Sequence, residues 1–140
     1  NYEAYGVLYN WSALMSEGIC PSGWHVPSDD EWQTMEISLG MIESEVENTG
    51  WRGTDEGYQM KFTSGWMDNG NGSNLSGFKA LPGGYCESSG FSSNGEFGHW
   101  WTASESGSNS RRRMLASDFD SVFRGNLNKY YGFSARCLQD

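Results

Sequence analysis

The residues of this chain that could do chemistry are few and scattered. The two histidines, His25 and His99, have no partner at metal-ligand or relay spacing. A catalytic claim for either needs geometry that spacing alone does not supply. They read instead as a turn histidine beside Trp24 and an exposed one before Trp100. The run DNGNGSN places Asp68, Asn71 and Asn74 as oxygen ligands of the kind calcium takes. It lacks the sixth-position glycine and closing glutamate of an EF-hand, and its Asn and Gly residues also suit left-handed turns. Asp118, Asp120, Asn126 and Asn128 form a second oxygen cluster of the same kind.

Arg111, Arg112 and Arg113 are the one concentration of positive charge. In a strand Arg111 and Arg113 project to one face and Arg112 to the other. Arg111 and Arg113 could then contact an anion or a uronate, or pair with the surplus acids, Glu105 and Asp118 among them. Trp66, Tyr85, Trp100, Trp101, Tyr130 and Tyr131 could stack on the apolar faces of sugar rings, with Glu105 and nearby amides reading hydroxyls. The same rings are needed for a core. In an extended segment Trp100 and Trp101 face opposite ways, so one is expected at the surface. The acids lie on stretches that look solvated, so no pair with the matched environments of a glycosidase is expected.

Composition sets limits on all of this. The chain has 140 residues, enough for one domain with a real core. Hydrophobic residues make up 36% of it but aromatics 15%, so rings must supply much of the buried area. Nineteen glycines against three prolines imply many tight turns and irregular loops. A net charge of −9 argues against a nucleic-acid partner, which requires a basic face, and against anionic lipid. No run approaches the roughly 18 apolar residues of a membrane span. No signal peptide is visible, and Asn1 falls in mid-pattern, as expected of a processed or trimmed terminus. Cys20, Cys86 and Cys137 are far apart and show no zinc spacing. One long-range disulfide with an odd thiol, or three reduced thiols, both fit the count.

Several elements must position these residues. Tyr5–Leu8 reads as a short strand. Asn10 is an N-cap for a helix carrying Trp11, Leu14 and Met15 on one face, with Gly18 as its stop. Pro27 forbids helix just before it, and Ser28 with Glu31 forms a capping box for a second helix. Asp29, Asp30 and Glu31 suit the positive end of that helix. Trp32, Met35, Leu39 and Ile42 recur at steps of three and four, an amphipathic face. Trp24 is expected in the core with Trp32, and Glu43, Glu45 and Glu47 at the surface.

After Asn48 the helical period is lost. Short aromatic pieces follow, broken by Gly and Asn, then strands at Arg111–Ala116, Ser121–Arg124 and Gly132–Leu138. The expected class is α+β: two N-terminal helices packed on a small twisted antiparallel sheet with long Gly/Asn-rich loops.

Five segments occur together in order: Trp11–Cys20, HVPSDDEW (His25–Trp32), GFKALPGGY (Gly77–Tyr85), WWTASE (Trp100–Glu105) and GFSARC (Gly132–Cys137). As a set they resemble the Fibrobacter succinogenes major paralogous domain, found in secreted and surface proteins of Fibrobacteres and Bacteroidetes. The resemblance spans Tyr5 to Asp140. More distantly, the two-helix opening and the terminal G-F-x-x-R-C are similar to the C-type lectin-like fold and to the sulfatase-modifying, formylglycine-generating enzymes. The resemblance implies a disulfide between Cys20 and Cys137. Closing so long a loop is worth about 4–5 kcal/mol in the chain-entropy model. Cys86 departs from the family, where a basic residue is expected after GGY, and is left as an unpaired thiol. The lectin calcium signature, a Glu-Pro-Asn-like triplet followed by Trp-Asn-Asp, is absent. So are the paired thiols of the formylglycine-generating enzymes, for which Arg111–Ala116 would be the place.

The function expected is a non-catalytic, secreted or cell-surface module. It would bind a glycan or a protein through the loops between about Trp66 and Asn126, with no cofactor except calcium at the Asp68 loop. The alternative is a structural or assembly domain in which Cys86 or a sheet edge joins neighbours. Oligomeric state is left open.

Overall fold

A computed structural model describes residues 2–140. The elements are α1 (Tyr2–Tyr5), β1 (Leu8–Tyr9), α2 (Trp11–Leu14), β2 (Trp24–His25), α3 (Asp29–Ser38), α4 (Glu43–Val46), β3 (Gly50–Arg52), α5 (Glu56–Met60), β4 (Tyr85–Glu87), β5 (Gly90–Ser92), β6 (Phe97–Ser106), β7 (Asn109–Ala116), β8 (Val122–Asn128), β9 (Phe133–Ser134) and β10 (Leu138–Gln139). The class is α+β. A six-stranded sheet in the order β1-β9-β6-β7-β8-β3 forms its centre, with two-stranded pairs β2–β10 and β4–β5 beside it. The sheet is mixed, not purely antiparallel as expected, because β9 runs parallel to β6, pairing Ser134 with Trp100.

The only helix longer than five residues among those described is α3. Its start is the expected capping box: Ser28 Oγ accepts from the Glu31 amide at 3.2 Å, and Glu31 reaches back to the Ser28 amide at 2.8 Å. Each bond satisfies an N–H that has no partner within the helix. Trp32 is buried, and Met35 and Leu39 pack against the core it belongs to. Ile42 is exposed, contrary to the expected stripe, because α3 ends at Ser38 and the chain turns at Gly40 with φ 120°. The two-helix expectation is also incomplete. The first helix is a single turn, Met15 is exposed, and the short helices α4 and α5 fall where no period was visible.

The alternation over Gly132–Leu138 is not one strand. Phe133–Ser134 belongs to the large sheet and Leu138–Gln139 pairs with β2. Tyr5–Leu8, expected as a strand, is split between the end of α1 and the start of β1. Cys20 and Cys137 form a disulfide with Cα atoms 5.7 Å apart, closing a separation of 117 residues. Beside it His25 bridges Glu31 and Asp140, so the last residues are held to Cys20 by a covalent bond and, through His25, to the start of α3 by side-chain contacts. Cys86 is a free, half-buried thiol. Trp24, expected in the core, is 43% exposed on β2, outside both hydrophobic clusters.

Both faces of the large sheet are covered around Trp100 and Trp101, and this decides where the aromatics go. On the inner face Trp32, Trp66, Trp100, Leu115 and Val122 share one cluster. On the outer face Leu14, Trp101 and Phe133 form a second, with Trp11, Tyr85, Leu127 and Tyr131 packed around them. Trp100 and Trp101 do point in opposite directions, as the pleat requires, but each enters a core. They are 3% and 1% exposed. No helix of the described residues is long and apolar enough to cross a membrane.

Candidate functional site

The charged side chains divide by face. β6, β7 and β8 pair so that Trp100, Arg113 and Arg124 lie on the inner face, while Trp101, Arg112 and Phe123 lie on the outer one.

Inside, α3 lays Asp29 and Glu36 against the sheet. Arg113 Nη1 donates to Asp29 at 2.6 Å and its Nε to Glu36 at 2.6 Å. Arg124 Nη2 donates to Asp29 at 2.6 Å, and Arg52 pairs with Glu36. Remaining guanidinium hydrogens go to the carbonyl oxygens of Val46, Val122 and Glu47. All five side chains are buried. Burial alone would raise the Asp29 pKa, but hydrogen bonding from Arg124 and the charge of Arg113 outweigh it and hold it at about 2. This cluster ties α3 and α4 to β3, β7 and β8. It corrects the expectation that the acids sit only on solvated stretches. It also removes Arg113 from the candidate ligand contacts, since two carboxylates already occupy it.

The other candidates separate. Trp66 is 4% exposed and its indole donates to the Ala80 carbonyl at 3.0 Å. The Trp101 indole donates to the carbonyls of Tyr9 and Tyr131. Neither ring, nor Trp100, is placed as a stacking surface. Glu105 is exposed and pairs with Lys129 at 3.2 Å, not with the arginine run. Arg111 is half-buried on the same side as Arg113 but outside its ion cluster.

The Asp68–Asn74 loop is packed as a turn. Asp68, Asn69 and Asn74 take positive φ. Asn71 Oδ1 accepts from the Trp66 amide at 3.0 Å and Asn74 Oδ1 from the Lys79 amide at 2.8 Å. Gly70 and Gly72 press on backbone: a Cβ there would meet the Ser117 carbonyl at 2.3 Å and the Tyr58 carbonyl at 2.2 Å. Two of the three calcium candidates thus spend their oxygens on the chain itself. In the second oxygen cluster, Asp118 and Asp120 lie before β8 and Asn126 and Asn128 near its far end, so they do not converge. No group of three His, Cys, Asp or Glu side chains among the described residues could hold a metal ion.

The outer face carries a different arrangement. Arg112, half-buried, has no carboxylate partner among the described residues. Its Nη1 donates to His99 Nδ1 at 3.0 Å, and its Nε finds no acceptor. Its guanidinium lies 4.8 Å from the Phe123 ring centre and 5.9 Å from that of Phe133. Burial pushes its pKa down. His99 is buried, not exposed as expected. It stacks on Phe133 at 4.8 Å and meets Tyr85 edge-on at 5.4 Å. Burial, and secondarily the Arg112 charge, depress its pKa to about 3, so it is neutral at pH 7. With Nδ1 accepting, Nε2 carries the proton, and that N–H is unpartnered.

Tyr85, His99, Arg112, Leu127, Tyr131 and Phe133 line an open cavity of about 240 Å³. From Phe123 the aromatic row continues to Trp51, 5.5 Å away, which stacks on the partly exposed Phe119 at 4.3 Å. No single signal in the sequence marked this site. Its members lie on β4, β6, β7 and β8 and around β9, and only the sheet register brings them together.

A second cavity, also about 240 Å³, opens beside the disulfide between Trp32, Met35, Phe78 and Arg136. There Arg136 already donates to the Phe78 carbonyl at 2.5 Å and lies over the Phe78 ring at 4.3 Å. Glu31 at its rim is engaged by Ser28 and His25.

No curated protein and no solved structure matches the chain. The sequence pattern of the Fibrobacter succinogenes major domain matches residues 1–139. That match covers the disulfide, the α3 capping box, both cores and the outer-face cavity. The chain therefore belongs to the Fibrobacter succinogenes major domain family.

Proposed function

We propose that this domain is a non-catalytic binding module of a secreted or cell-surface protein, and that it recognises a glycan on the outer face of its sheet. The observation that carries this reading is the row Tyr85, His99, Phe133, Arg112, Phe123, Trp51 and Phe119, aromatic rings flanking two polar side chains that each keep one buried nitrogen without a partner. Flat rings bury the apolar faces of sugars, and a few convergent polar groups fix orientation. The cavity is smaller than the roughly 300–1,000 Å³ of a drug-sized pocket, and fits one sugar unit of a chain lying along the row. Of the buried carboxylates, Asp29 and Glu36 are held by arginines and Glu56 accepts from the Thr54 amide on the chain leading into α5, and His99 is neutral with no acid beside it, which favours binding over acid–base chemistry.

We read the topology as C-type lectin-like, with the distant similarity to sulfatase-modifying enzymes confined to fold. Support comes from the β1–β9 and β2–β10 pairs and the Cys20–Cys137 bond. The disulfide also fits an oxidising, extracytoplasmic location.

A glycan array probed with and without calcium tests the reading. Binding that is independent of calcium and lost on Trp51→Ala is expected, and absence of any glycan signal would contradict it. A second reading, an assembly domain, draws on Phe91, 83% exposed beside a larger cavity lined by Val7 and Leu8 next to edge strand β1. A reducible dimer through Cys86, or a dimer lost on Phe91→Ser, would favour that reading over the first.

A further inference from the structure

We propose that Arg112 is the receptor for a carboxylate, so that the ligand of the outer face is an acidic sugar carrying an isolated uronate. This rests on the glycan reading and adds its chemical class.

The chain has 18 acidic and 9 basic residues besides histidine, so counter-charges for arginine are plentiful. The three inner arginines share two of them: Arg52 has Glu36, Arg113 has Asp29 and Glu36, and Arg124 has Asp29. Arg112, their neighbour in the same sheet, has none among the described residues. Burying an unpaired guanidinium is costly, and a site that leaves one beside a cavity is prepared for an anion.

Its head is also oriented. His99 accepts from Nη1 through Nδ1, and the Phe123 and Phe133 ring centres lie 4.8 and 5.9 Å from the guanidinium carbon. His99 is itself more than nine-tenths buried, and its Nε2–H is a further donor lacking an acceptor. A guanidinium's remaining hydrogens match the two oxygens of a carboxylate side by side. Tyr131 and Tyr85 at the cavity wall supply hydroxyls and ring faces for the body that bears it.

Phosphate and sulfate share this chemistry with carboxylate. One guanidinium, with no second cation in the cavity lining, suits a single negative charge. The −9 charge of the chain repels polyanions, which points to one uronate among neutral sugars and away from a polyuronate block.

The test is an amide-detected NMR titration of the 140-residue domain with methyl glucuronoside, methyl glucoside, inorganic phosphate and sulfate. Methyl glucuronoside is expected to shift the amides of His99, Arg112 and Tyr131, binding roughly tenfold or more tighter than methyl glucoside. Phosphate and sulfate should bind weaker than the uronoside. Arg112→Met and Arg112→Lys, checked for folding by their spectra, should lose that preference wholly and partly. Equal binding of the acidic and neutral glycosides at these residues would overturn the carboxylate assignment and leave the glycan reading standing. Phosphate or sulfate binding here without either glycoside would overturn both. A preference that survives in Arg112→Met would place the carboxylate elsewhere and overturn the proposal.

Discussion

Arg112 and Arg113 are adjacent in β7 and chemically identical, yet the fold gives them opposite surroundings. Arg113 is fully buried with two carboxylates aligned on it. Arg112 sits among rings with a neutral imidazole as its only nitrogen partner. The pleat separates them, and what each face meets decides the rest. α3 brings Asp29 and Glu36 to one face, whereas β4 and the chain around β9 bring Tyr85, Tyr131 and Phe133 to the other. A charged residue in a sheet is therefore structural or available according to the element that covers its face.

This contrast can be broken most forcefully at Glu36. Glu36→Gln leaves Arg52 and Arg113 without a full counter-charge in a dry site and is expected to cost about 3–5 kcal/mol in urea unfolding. A loss below about 1 kcal/mol would mean the inner cluster is not what fastens α3 to the sheet.

Acid sharpens the contrast, because the two faces should weaken in different pH windows. The Asp29 pKa is lowered in the fold, so its contribution is present above the ordinary carboxylate range and lost as pH falls through about 2. Its size is on the order of 2 kcal/mol. His99 also has a lowered pKa, at about 3, but as a histidine held neutral. Its contribution is complete above the ordinary imidazole value, about 6.5, and declines from there towards pH 3. Stability measured against pH should therefore fall first through the outer face. His99→Gln should flatten the limb between about pH 6.5 and 4 while leaving the Asp29 limb below it. One limb only, unchanged in the variant, would contradict this.

The smallest effect belongs to neither face. His25 has its pKa raised by the hydrogen bonds it donates to Asp140 and then Glu31, at the surface. A raised histidine contributes below its ordinary pKa and loses that contribution as pH rises through the folded value. The C-terminal strand should fray slightly above neutral pH, more so in high salt, as read by hydrogen exchange at Leu138 and Gln139. Exchange there that is independent of pH between 6 and 9, after correction for its intrinsic rate, would dismiss the contact.

Legibility in the sequence follows range. The Ser28–Glu31 box was readable because both partners lie within one turn of helix. The Cys20–Cys137 pairing was readable only through family resemblance, since distance in sequence carries no geometry. Asp29 looked like a carboxylate placed for the helix dipole. Its partners Arg113 and Arg124 are 84 and 95 residues away, so nothing local marked it as buried. Alternation correctly set Trp100 and Trp101 on opposite faces, but cannot say that both faces are covered. For the same reason the arginine run showed which two residues share a face and not which face α3 would occupy. The cavity around Arg112 depends on that covering and on the parallel placement of β9, and so lay outside local pattern.

The comparison of Arg113→Met with Arg112→Met, by urea unfolding at pH 7, tests the division of the two faces most directly. Arg113→Met should lose about 3–5 kcal/mol by leaving Asp29 and Glu36 under-compensated. Arg112→Met should change stability by less than about 1 kcal/mol, or raise it, because an unpaired buried charge is replaced by an apolar chain of similar reach. Equal losses from the two substitutions would contradict the account and make Arg112 a structural residue like its neighbour.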